Sequence, residues 1–148
     1  MRRIKIIALT SALVGTLDGL AAVLQFKLRG GQNPFQVFRF IASGLFGREA
    51  FTDPILYPVL GIVLHYIIAA TWTTLFFLYY PRMRYFWVNT YIVGVIYAIV
   101  IWSIMNLIII PLSNTPPLPQ SIGSSLVEMF ILVCAVGLPI SWIYHKSN

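Results

Sequence analysis

Four stretches of this chain, at residues 6–26, 55–80, 88–112 and 122–144, are apolar over more than twenty residues each and nearly free of charge. At about 1.5 Å per helical residue each is long enough to cross ~30 Å of hydrocarbon. In lipid no backbone N–H or C=O can stay unpaired, and the stretches lack the in/out alternation of barrel strands, so they must be helices. Only 9% of the residues are charged and 59% are apolar, against about a quarter charged in soluble domains. A water-soluble fold of 148 residues has too little interior to hide that much apolar surface. The expected fold is therefore all-α, a single integral membrane four-helix bundle over residues 1–148.

The net charge of +6 comes from ten Lys and Arg against four Asp and Glu. The basic residues sit at the ends of apolar runs and form no stripe, which marks them as membrane anchors and argues against nucleic acid as a partner. Arg2, Arg3, Lys5, Arg82, Arg84 and Lys146 fall on one side without any acid, whereas Lys27, Arg29, Arg39 and Arg48 on the other are offset by Glu49 and Asp53. The positive-inside bias then puts both termini in the cytoplasm, and Tyr79, Tyr80, Tyr85, Phe86 and Trp87 are expected to mark the inner interface. Residues 1–5 imitate the start of a secretion signal, but no small-residue cleavage site follows, so the first stretch reads as an uncleaved span. The single cysteine, Cys134, lies within the fourth span and permits neither an internal disulfide nor a cysteine-based metal motif.

Between spans one and two, Gly30-Gly31 frees the chain and Asn33-Pro34 forms a helix start. Phe35, Phe38, Ile41 or Ala42, and Leu45 then recur at helical spacing. This predicts a short amphipathic helix over 34–47 at the outer membrane surface. Asp53-Pro54 should cap span two, the prolines of 113–119 should stiffen the second outer loop, and Gly137 with Pro139 should bend span four.

Span one carries Ser11, Gly15, Asp18, Ala22 and Gln25 on one face, a pattern of mostly small residues that suits close helix packing. Packing alone does not explain Asp18, because a carboxylate inside a span faces inward and needs a partner. Counted from the outer ends, Asp18, His65, Asn106 and Glu128 lie at nearly one depth, roughly 9–15 Å down at the helical rise. Gly61, His65, Ala69 and Trp72 share one helix face, as do Gly94, Ala98, Trp102 and Asn106. Asp18, His65, Asn106 and Glu128 are thus the candidate ligand or proton site, with Gln25, Trp72 and Trp102 as candidate pocket lining. Two acids and an imidazole at one depth can share protons, bind a cation or hold a metal; the bland alternative is a hydrogen-bonded network that fixes helix packing. His145 falls at the inner interface, too far from His65 for the two to ligate one haem, and Met105 is ordinary span packing. No phosphate loop, nucleophile elbow or His-Glu-x-x-His motif occurs, and the sequence names no cofactor.

The segment from Leu64-His65 through Phe77, Tyr80-Pro81-Arg82-Met83, Ile110-Pro111-Leu112 and Thr115-Pro116-Pro117 resembles the YagU-like family of bacterial inner-membrane proteins, and Glu128-Met129-Phe130 fits its pattern of an acid followed by an apolar pair. His65 and Glu128 stand where a member of that family also has histidine and glutamate, while Asn106 and Leu132 stand where it has histidines, so a histidine-rich site does not carry over whole. The resemblance implies fold and location in a bacterial inner membrane, and no activity. The expected function is a non-enzymatic membrane protein handling protons, a cation or a small ligand in a polar site of the outer half. The alternatives are an accessory subunit or homo-oligomer within a larger membrane complex, whose polar cluster is structural, and a metal-dependent membrane enzyme.

Overall fold

The computed structural model describes residues 2–86, 89–117 and 121–147, with residues 83–86 described in backbone only. Among these there is no strand, and the chain runs through five helices: α1 Arg2–Leu28, α2 Phe35–Phe46, α3 Leu56–Phe86, α4 Thr90–Leu112 and α5 Ile122–Ser147. Helices α1, α3, α4 and α5 are long and apolar enough to cross a membrane, as the four hydropathic stretches require. Ile6 and Leu9 of α1 lie beside Ile143 and Lys146 of α5, so both chain ends lie at one end of the bundle. That end is called the terminal end below, and the opposite one the α2 end.

The helix boundaries follow from local chemistry. Asp53 Oδ1 accepts from the N–H groups of Ile55 and Leu56, both at 2.8 Å, which caps α3 where the Asp-Pro pair placed it. The bonds from Leu56 and Ile55 hold the Asp53 carboxyl below the usual carboxylate range, and Arg39 adds to the effect. Asn89 caps α4 by accepting from Tyr91 N–H at 2.9 Å, and Ser121 with Ser124 forms a reciprocal cap on α5.

Two spans contain a π turn, Met105–Ile109 in α4 and Val133–Gly137 in α5. Each ends two residues before a proline, Pro111 or Pro139. A proline offers no N–H and its ring clashes with the carbonyl four residues back. The helix widens just before it: Ile110 N–H reaches Met105 C=O, and Leu138 N–H reaches Val133 C=O. Where a bend was expected at Gly137 and Pro139 the helix carries a π turn, and the segment before Pro111 carries its twin.

Small residues decide which helices touch. Gly15 of α1 lies against Tyr66 and Ala69 of α3, and Gly94 of α4 lies against Gly137 of α5. The spans stand in the ring order α3, α1, α5, α4. At the terminal end this ring is dense: Phe76, Phe77 and Tyr80 of α3, Tyr97 of α4 and Tyr144 of α5 are buried and stack on one another. Tyr80 belongs to this core, with its hydroxyl 2.9 Å from Thr90 Oγ1, rather than to the interface girdle expected of it. The side chains of Tyr85 and Phe86, together with Trp87, Val88 and residues 118–120, lie outside the described residues. At the α2 end the ring loosens. No residue of α4 from Met105 to Leu112, or of α5 from Ile122 to Leu132, is buried.

The amphipathic helix forms as α2 and continues into a 3₁₀ turn, Gly47–Phe51. Its inward side carries Phe38, Ala42 and Ser43, the last two fully buried, while Phe35 and Leu45 stay exposed. Phe38 C=O rests directly on Gly61, and Phe46 stacks on Tyr57, so α2 leans along α3 with opposite chain direction. Asn114 N–H donates to Gly44 C=O at 3.1 Å and Asn114 Nδ2 donates to Leu45 C=O at 3.2 Å. The α2 helix therefore fills the gap between α3 and the loop after α4, where the bundle would otherwise open.

Candidate functional site

The sharpest polar feature joins α1 to α3. Gly15 has no side chain, so the buried His65 ring reaches the α1 backbone and Nε2 lies 2.7 Å from Gly15 C=O. A carbonyl only accepts, so Nε2 carries the proton and Nδ1 is left as the ring's basic position. Gly19 gives the same ring room: a Cβ there would stand 3.2 Å from Nε2. Thr16 and Tyr66 strengthen the junction, with hydroxyls 2.8 Å apart. Since Thr16 already donates to Ala12 C=O, Tyr66 must be the donor between them.

Asp18 follows Gly15 by three residues on the same inward side of α1. It is half-buried and within electrostatic range of the His65 imidazole. Phe38 of α2 meets the His65 ring edge-on, with centroids 6.3 Å apart. Asp18 and His65 thus share the α1–α3 junction, with no hydrogen bond or ion pair between them among the described residues.

Glu128 is placed differently. Its Oε1 lies 3.8 Å from an Arg29 guanidinium nitrogen just beyond the end of α1, and it is half-buried there. The depth count had put it with Asp18 and His65, but a long arginine at the α2 end draws it away. Asn106 Nδ2 donates to Trp102 C=O at 3.1 Å, one turn back on its own helix. Trp72, expected to line the site, belongs instead to the aromatic core. Its ring meets Tyr97 edge-on at 6.2 Å, and its carbonyl accepts from the Tyr97 hydroxyl at 2.6 Å. Gln25 and Trp102 remain in the loose half, where Gln25 Nε2 and Trp102 Nε1 are buried and bond to no acceptor among the described residues. Buried donors of this kind are rare in folded proteins.

Two features at the site escaped sequence reasoning. Phe38 was assigned to a surface helix, with nothing to link it to His65; the signal was Gly61, which shares the His65 face one turn away and opens a channel for the α2 backbone. The Arg29–Glu128 pair was missed because Arg29 lay in a loop whose reach the depth count ignored.

Among the described residues no three His, Cys, Asp or Glu side chains are close enough to share a metal ion. Two open apolar grooves, of about 300 and about 370 Å³, lie on the outside of α1 and α5, away from Asp18 and His65. Comparisons with protein-family models, with curated proteins and with solved structures find no match. The chain is a multi-pass membrane-type helical bundle, and its chemistry has to be argued from its own residues.

Proposed function

We propose that this protein is a non-enzymatic, proton-binding membrane protein whose Asp18–His65 pair exchanges protons with the α2 side. The observation that carries the proposal is the hydrogen bond from His65 Nε2 to Gly15 C=O, which reserves Nδ1 for a second proton within electrostatic range of an inward-facing carboxylate. Loose packing of α4 and α5 around the α2 end, together with the unpaired donors of Gln25 and Trp102, supports access by water or a small polar guest from that side. A proton suits the site better than a metal cation. Glu128 is engaged by Arg29, so only one carboxylate faces His65.

The same proposal places the chain in a bacterial inner membrane as a member of the YagU-like family, with both ends cytoplasmic. The charge bias supports that orientation. With Cys134→Ser as background, an impermeant thiol reagent should label Gln32→Cys in intact cells and leave Arg82→Cys unlabelled. The reverse pattern inverts the topology.

The proton site has a direct test in lipid nanodiscs. Infrared difference spectra across a pH titration should contain a carboxyl band that Asp18→Asn removes and His65→Gln shifts along the pH axis, while both variants keep a cooperative melt. A titration unchanged by Asp18→Asn, with only the melting temperature altered, would establish a purely structural pair.

A further inference from the structure

The two apolar grooves on the outside of the bundle share Leu13, Trp142 and Ile143, and so form one continuous furrow along α5, bordered by α1 and by Tyr91 at the start of α4. It starts at Lys146, passes Leu9 and Leu13 on α1, and ends near Cys134 on α5. From position 146 to position 134 the helical rise gives about 18 Å. One leaflet's hydrocarbon is about 15 Å deep, half of the whole core. The furrow therefore has the length of an acyl chain and runs in the direction an acyl chain takes.

Its mouth is cationic. Lys146 Nζ sits over the Trp142 ring, 4.3 Å from the centroid. Arg2 precedes Ile6, Leu9 and Leu13 on α1 at spacings of four, three and four, so it stands on the furrow's own side of that helix. Arg3 and Lys5 add charge at the same end. All four acids of the chain, Asp18, Glu49, Asp53 and Glu128, occur in the part of the bundle nearer α2. No aspartate or glutamate side chain stands near this mouth.

We propose that the furrow is a binding site for one phospholipid with an anionic headgroup, its phosphate held between Arg2 and Lys146 and one acyl chain laid along Leu9, Leu13 and Trp142. Basic clefts at the ends of neighbouring spans recognise headgroups of this class. The site is separate from the Asp18–His65 pair and does not depend on its role.

The test is lipid retention. Protein reconstituted with equal amounts of phosphatidylglycerol and phosphatidylcholine is extracted in mild detergent, and the lipid that stays bound is identified by native mass spectrometry. The wild-type chain should keep phosphatidylglycerol in preference. Arg2→Gln with Lys146→Gln should reduce that preference on the order of 25-fold, about fivefold for each charge near the membrane surface. Leu13→Trp keeps every charge but fills the furrow, and should lower retention of both lipids. Excess inorganic phosphate should not displace the lipid. Unchanged preference in the double charge variant, undiminished retention in Leu13→Trp, or displacement by phosphate alone would each overturn the proposal.

Discussion

Gly94→Val should unfold or misassemble the bundle, with a loss of about 3 kcal/mol or more, at the upper end of what overpacking costs. The α4 and α5 backbones touch at this point. A Cβ on Gly94 would stand 2.5 Å from Gly137 C=O and 2.5 Å from Ser141 Oγ, and a Cβ on Gly137 would run into Gly94 C=O. Ordinary contacts begin near 3.4 Å, and although Ser141 Oγ could rotate away, the Gly137 and Gly94 carbonyls are backbone, which has no rotamer to change. Relief requires the two helices to part, and parting them unpacks Tyr97, Ile140 and Tyr144 from the dense end of the ring. Unfolding titrations in mixed micelles would measure the loss. Gly123→Ala is the control: its Cβ would meet nothing nearer than Ser121 Oγ at 4.0 Å, and it should melt as wild type or slightly higher. A cooperative, wild-type-like melt for Gly94→Val would refute the close α4–α5 crossing.

The second large effect is expected from Gly61→Ala. One methyl group there collides with Phe38 C=O and the carbonyl carbon behind it, at the center of the α2–α3 contact. The α2 helix must lift from α3, at a cost of about 2 kcal/mol. The displacement should be local. Hydrogen exchange across α2 should quicken, the Asn114 bonds to Gly44 and Leu45 should be lost, and α4 with α5 should be unaffected. Gly44→Ala is the matched control within α2, since its Cβ would reach Thr115 Oγ1 at an ordinary 3.6 Å. Equal protection of α2 in the Gly61→Ala and Gly44→Ala variants would show that α2 does not rest on α3 as described. If the proton site is as proposed, lifting Phe38 from His65 should also speed the pair's exchange with water.

Much of the fold was legible because lipid enforces it. Spans must be long, apolar and helical, and small residues must face the places where backbones approach, which Gly15, Gly61 and Gly94 do. That Asp18 and His65 would lie near one another was legible for the same reason: ionisable groups turn inward, and two of them at similar depth on adjacent helices come within electrostatic range. Counting depth failed for Glu128 because it measures backbone position only. Arginine carries its charge several ångströms from its Cα, and the π turn in α5 changes the facing of residues on either side of it. Trp72 was misassigned because helical phase says which residues share a face and not which neighbour that face meets; Tyr97 occupies the space assumed to be a pocket. The lean of α2 along α3 was hidden as well, since amphipathic periodicity is the same for a helix lying flat and for one wedged between spans.

The glycine contacts have a mechanical corollary. Gly94 with Gly137 zips α4 to α5, while Gly15 and Gly19 zip α1 to α3 around the His65 ring, so each pair is a rigid jaw. Where α3 meets α4 and α5 at the terminal end, the contact is made by the rings of Phe76, Phe77, Tyr80, Tyr97 and Tyr144. Two hydrogen bonds, Tyr80 hydroxyl with Thr90 Oγ1 and Tyr97 hydroxyl to Trp72 C=O, tie the same α3–α4 contact, so the terminal end is latched by bonds as well as by rings. At the other end the spans are held differently: α2 is wedged on α3 at Gly61 and tied to the loop after α4 through Asn114.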